Sequence, residues 1–235
     1  MILERPSASR GSGPSSTDGR ERRHAFSGGV FYDPRWMGFG VLRVLNEDRL
    51  APGAGFAPCR RANMEVFTYV LSGALAHRDS SGAERVIRAG DLLWLGTGHG
   101  MQYHHFNASD AEPLHILQAW LQPDRVNAEP ASGIRKAAPG HGWELLASPD
   151  GEDDSIAIRQ DARLCHLRVA PGAAEVRSLE PSRRYWLHVA TGAAIVNGRD
   201  LFAGDALGFT GESGRLELAG AGATPAGLLW FDLPA

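Results

Sequence analysis

Residues 70–95 read VLSGALAHRDSSGAERVIRAGDLLWL, and residues 189–209 read VATGAAIVNGRDLFAGDALGF. Each stretch is a strand, a glycine turn, a second strand, a turn and a third strand, and an AGD turn recurs at 89–91 and 203–205. The first copy opens on MEVFTYVL (64–71), whose core is rich in β-branched and aromatic residues, and DSSG (79–82) has a hairpin-turn composition. A strand-rich unit present twice, each copy about one small domain long, predicts an all-β chain of two tandem β-barrels.

The flanking runs agree with that reading. FGVLRVL (39–45) and PLHILQAWL (113–121) extend the first half; LCHLRVAPG (164–172), YWLHVATG (185–192) and GLLWFDLP (227–234) extend the second. No stretch keeps a 3.6-residue apolar period for several turns, so only a few short helices are expected. The 29 glycines and 14 prolines suit many short strands joined by turns. Residues 1–23, MILERPSASRGSGPSSTDGRERR, are polar and predict an arm on the surface or without order. A site-bearing barrel follows over 24–123, then a polar linker over 124–154 and a second barrel over 155–235.

The formal net charge of −3 comes with no basic stripe, so nothing here favours a nucleic-acid backbone. No apolar run is long enough to span a bilayer, and residues 1–23 hold charges rather than an apolar secretory core. Cys59 and Cys165 lie far apart and are expected as reduced thiols of a cytoplasmic protein.

Several longer pieces carry a resemblance. They are YDPRWMGFGVLRVLNED (32–48), APGAGF (51–56), NMEVFTYVLSGALAHRDSSG (63–82), AGDLLWLGTGHG (89–100), LHILQAWLQP (114–123) and, in the second half, ASPDG (147–151), QDARLCHLRV (160–169) and LLWFDLP (228–234). The chain resembles the pirin family of bicupins, which includes bacterial quercetin 2,3-dioxygenase-like proteins. The resemblance implies two cupin (jelly-roll) barrels. It also implies one metal, usually iron, held in the first barrel by a His-x-His pair, a third His and a Glu. Members are described as metal-dependent dioxygenases of flavonols or as regulators that work through protein contact.

At the four matching positions this sequence has Cys59, Arg61, Tyr103 and His105. Residues i and i+2 of a strand share a face, so both pairs are expected to point into the barrel while His104 points out. Arg61 is permanently charged and has no lone pair to give a metal. Cys59 and His105 are the only conventional ligands left, for iron, zinc, copper or nickel. The expectation is therefore a pocket without a metal, with Arg61 in place of the ion and bonded to Glu65 and the Tyr103 hydroxyl. The alternative is a quercetin 2,3-dioxygenase-type oxygenase with an unusual ligand set around a divalent metal. A third reading, a reactive Cys59 thiolate beside Arg60 and Arg61, ranks behind a plain buried thiol.

His99 in GTGHG reads as a solvated turn residue, and His77 and His115 as hydrogen-bonding residues on strands. His24 reads as packing, and the six tryptophans as core. The second barrel has no His pair between Pro171 and Trp186 and is expected to be structural. On these grounds the chain is a binding or regulatory module whose partner, a small molecule or a protein, the sequence does not name.

Overall fold

The computed structural model describes residues 1–13, 19–138 and 140–235; residues 14–18 of the expected arm and residue 139 of the expected linker lie outside them. The chain divides into two units, one of Gly11–Ala137 with Ile158–Gln160, the other of Met1–Arg10, Ala138–Ala157 and Asp161–Ala235.

Both units have the same plan, a seven-stranded and a four-stranded sheet. In the first unit the large sheet runs Ala131–Arg135, Leu92–Gly96, Glu65–Ser72, Leu114–Leu121, Leu42–Leu50, Arg20–His24, Gly11–Ser12. The small one runs Cys59–Arg61, Met101–Asn107, Ala74–Asp79, Glu84–Arg88. The second unit repeats this order, with Ala206–Thr210, Arg183–Thr191, Ala226–Pro234 and Arg163–Val169 as the corresponding central strands. The sequence repeat is thus a repeat of strand order. It holds down to single turns. Gly73 (φ 79°) and Gly192 (φ 72°) both adopt the left-handed conformation. A Cβ at either would meet a proline carbonyl oxygen, that of Pro113 at 2.5 Å or Pro225 at 2.8 Å, so only glycine fits. The AGD aspartates also match: Asp91 accepts the Arg88 amide at 3.3 Å, and Asp205 that of Phe202 at 2.8 Å.

Each core lies between its two sheets. In the first unit Val66, Val70, Leu93, Leu95 and Ile116 from the large sheet meet Leu75, Ile87 and Met101 from the small one. In the second unit the interior is filled by aromatic rings. Trp230, fully buried, stacks on Tyr185 at 5.0 Å and meets Trp143 edge-on at 6.0 Å.

Two segments differ from the sequence expectation. The arm over 1–23 contains strands. Ile2–Arg5 pairs with Ala206–Phe209, and Arg20–His24 pairs with Leu42–Leu50. Its charges do not prevent this, because Arg22 lies opposite Asp48 and forms a bidentate pair with it at 2.5 and 2.9 Å. The linker over 124–154 holds two strands, Ala131–Arg135 and Gly142–Ser148, each built into a large sheet. Asp91 anchors the first by accepting the Ala137 amide at 3.0 Å and the Lys136 ammonium at 2.8 Å. Among the described residues helix is confined to single 3-10 turns at Ser7–Ser9 and Glu152–Asp154. Among the described residues no helix is long and apolar enough to cross a membrane.

Candidate functional site

Strand Met101–Asn107 alternates, with Met101, Tyr103 and His105 buried and Gln102, His104 and Phe106 more exposed. Strand Cys59–Arg61 runs beside it, Cys59 opposite Tyr103 and Arg61 opposite Met101. On the other side Tyr103 lies opposite Asp79 and His105 opposite His77. Cys59, Arg61, Tyr103 and His105 all line one cavity of about 490 Å³. His104 faces away and lies against Phe106 at 4.9 Å.

Glu65 is not part of this cavity. The strand is not regular between residues 61 and 65: Cys59–Arg61 ends in the small sheet, Asn63 takes a left-handed φ of 55°, and Glu65 opens a strand of the large sheet. The crossing cancels the shared parity. Glu65 alternates with Val66 and Val70, which enter the barrel core, and so faces the opposite way. Its carboxylate accepts the Trp94 indole N–H at 2.7 Å and the Arg159 amide at 3.3 Å. Burial pushes the Glu65 carboxyl up, against the pull of those two donors.

Arg61 takes neither of its expected partners. Its guanidinium lies over the Trp120 ring, 5.1 Å from the centroid, and Nη1 donates to the Arg60 carbonyl at 3.0 Å. Its Nε is buried without a hydrogen-bond partner, and it makes no ion pair among the described residues. The Tyr103 phenol is held above its ordinary pKa by burial and then by the neighbouring Cys59, so it is protonated at neutral pH. Cys59 is a half-buried free thiol.

A chain of hydrogen bonds reaches His105 from behind. Asp79 Oδ2 lies 3.0 Å from His77 Nε2, and His77 Nδ1 lies 3.0 Å from His105 Nε2. Burial works to raise the Asp79 carboxyl, but bonds from Ser81 and His77 outweigh it and leave the group below its usual value. An ionised carboxylate only accepts, so His77 carries its proton on Nε2. Burial lowers the His77 pKa despite Asp79 and keeps the ring neutral, which makes Nδ1 an acceptor. His105 must then donate from Nε2. Burial, then the neighbouring His77 and His104, push His105 down to about 3, so it too is neutral. Its Nδ1 therefore bears a bare lone pair, buried and without a partner among the described residues.

This arrangement has a consequence for acid stability. His105 takes up a proton near 6.5 in the unfolded chain and only near 3 in the folded one. The unfolded state binds more protons in that window, so stability falls as pH drops from about 6.5, by up to about 1.4 kcal/mol per pH unit. Melting curves between pH 7.5 and 5 are expected to fall less steeply for His105→Phe than for the parent. Parallel curves would contradict the assignment. His166, buried and pushed to about 4, keeps part of the slope in both proteins.

Other cavity residues were missed in the sequence. Arg22 enters from the segment read as an arm and His24 from the same strand just beyond it, and Gln118 and Trp120 share one face of Leu114–Leu121. His24 Nδ1 donates to Asn46 Oδ1 at 2.8 Å, and burial, with Asn46 opposing, keeps that ring below its ordinary pKa. The available signal was the alternation Arg20, Arg22, His24 in a charged run. His99 stands exposed beside Glu129, as a turn residue should, and His115 bonds Glu47 at 2.8 Å. Among the described residues no group of three His, Cys, Asp or Glu side chains is placed to hold a metal.

Comparison with known proteins covers both units. The Pirin family pattern matches residues 6–121, and that of the quercetinase C-terminal cupin domain matches residues 145–233. The chain is 33% identical to a quercetin 2,3-dioxygenase of Escherichia coli over 90% of each chain. It is 38% identical to a putative quercetin 2,3-dioxygenase of Pseudomonas aeruginosa over 75% of this chain and 77% of that one. Among solved structures it superimposes on YhhW from Escherichia coli with a TM-score of 0.94 at 31% identity, covering 100% of this chain and 98% of that one. A structure of the bacterial pirin YhhW in complex with nickel(II) gives 0.92 at 32% identity, covering 100% and 99%.

Proposed function

The chain belongs to the pirin family of bicupins, and on that premise we propose that its first barrel works without a metal, as a cytoplasmic small-molecule-binding module. The observation that carries this reading is the Arg61 guanidinium stacked on Trp120, inside the cavity where the family's ligand residues are expected. A divalent ion there would face a fixed positive charge at short range, a cost of several kcal/mol even at an effective dielectric of about 20. The remaining donors fit a metal poorly. The Tyr103 phenol is protonated, and His105 Nε2 is tied to His77. Cys59 and His105 Nδ1 are two donors where structural and catalytic sites use at least about three from the protein.

The competing reading is an oxygenase with an unusual ligand set. It draws on the quercetin 2,3-dioxygenase relatives and on the nickel(II) complex of YhhW. Oxygen uptake with quercetin separates the two. The purified chain given Fe²⁺, Cu²⁺, Ni²⁺ or Co²⁺ is expected to consume oxygen no faster than metal and quercetin without protein. Metal-dependent turnover that disappears in both Cys59→Ala and His105→Ala would establish the oxygenase instead.

A further inference from the structure

The cavity's polar atoms indicate what it takes. Its charged lining residues are Arg22 and Arg61, and no Asp or Glu lines it among the described residues. Arg22 is neutralised by Asp48, whereas among the described residues Arg61 meets only a ring and a backbone carbonyl, with its buried Nε unpartnered. A guanidinium left in that state is matched by an oxyanion. His105 asks for the opposite group. The Asp79–His77–His105 chain leaves Nδ1 as a lone pair on a residue only 2% exposed, facing the same cavity. A buried acceptor in this state is matched by a ligand O–H or N–H.

The two residues are anchored apart on the small sheet. Arg61 lies opposite Met101, and His105 stands four residues further along the same strand, roughly 13 Å of backbone at about 3.3 Å per residue. The Arg61 side chain reaches inward to Trp120 and shortens that span, so the anion and the donor are two separate groups of one molecule. Phe56, Val44 and Trp120 line the same cavity and supply an aromatic and apolar wall.

Resting on the metal-free reading above, we propose that the cavity binds an aromatic hydroxy acid, its carboxylate on the Arg61 guanidinium and its hydroxyl donating to His105 Nδ1. The Asp79–His77 pair serves to position His105, fixing which nitrogen is left bare.

Titration calorimetry on the full chain tests this with 4-hydroxycinnamate, cinnamate, which lacks the hydroxyl, and methyl 4-hydroxycinnamate, which lacks the charge. The hydroxy acid is expected to bind best, each analogue weakening affinity about tenfold or more. In Arg61→Met the acid and its ester should bind equally, while the preference for the hydroxyl remains. The His105 tautomer gives a readout that needs no variant. Nitrogen-15 spectra should show Nδ1 without a proton, and its resonance should shift with 4-hydroxycinnamate but not with cinnamate. Equal affinity for acid and ester in the parent, a protonated Nδ1, or no binding of any probe would overturn this ligand class. Such a result in a chain that still carries no metal would leave the metal-free reading standing, whereas metal-dependent quercetin oxidation would remove both.

Discussion

A chain carrying Cys59→His, Arg61→His, Tyr103→His and His105→Glu together is expected to take up about one divalent ion per molecule with micromolar or better affinity, about 8 kcal/mol of binding. The parent, dialysed alongside against Ni²⁺ or Fe²⁺, is expected to hold none. Residues 59 and 103 are cross-strand partners, and all four positions line one cavity. These substitutions install the residues that the family resemblance implies at those positions. Arg61→His alone should not suffice, because it removes the repulsion without supplying the missing donors. The test is metal content after exhaustive dialysis, with circular dichroism and melting to show that the variant is folded. A folded quadruple variant that binds no ion would mean that the backbone no longer has the geometry of a metal site.

Replacing Arg22 by methionine is expected to cost about 3–5 kcal/mol of stability at neutral pH, a loss typical of a buried ion pair stripped of one partner. Asp48 is 1% exposed and faces Arg22 across the strands Arg20–His24 and Leu42–Leu50. Burial already raises the Asp48 carboxyl, against the pull of Arg22. Without the guanidinium its folded pKa rises further above the unfolded value of about 3.9, so the folded state binds more protons as pH falls. The deficit of Arg22→Met relative to the parent should therefore shrink toward pH 5, where Asp48 can be buried as a neutral acid. Urea denaturation at pH 7.5 and pH 5 measures both numbers. A loss under about 1 kcal/mol would place the pair with ordinary surface ion pairs. A loss independent of pH would assign the cost to packing of the Arg22 stem rather than to the stranded charge.

The fold was legible because it repeats. VLSG and VATG both end on a glycine forced into the left-handed region beside a proline carbonyl, and the AGD turns reuse one aspartate-to-amide bond. Such constraints act over a few residues and therefore mark the sequence. Arg20–His24 was hidden because its charges are satisfied by Asp48 and Asn46, far along the chain, and composition reports only that the segment is polar. Strand parity located the cavity and placed Cys59, Arg61, Tyr103 and His105 on it. Parity failed at Glu65, where the chain leaves one sheet for the other through Asn63. The Asp79–His77–His105 chain was not legible. His77 and Asp79 lie two residues apart on one face, but their link to His105 depends on the register between two strands. The same holds for Arg61 on Trp120, a pairing between strands of different sheets.

A barrel that works with a guanidinium where the family resemblance implies an ion, as proposed, holds no metal when isolated. Protein expressed in rich medium, purified without chelators and analysed by mass spectrometry of the elements is expected to carry far less than about one equivalent of iron, zinc, nickel or copper. About one equivalent of any of them, retained through dialysis and lost in both Cys59→Ala and His105→Ala, would contradict the account.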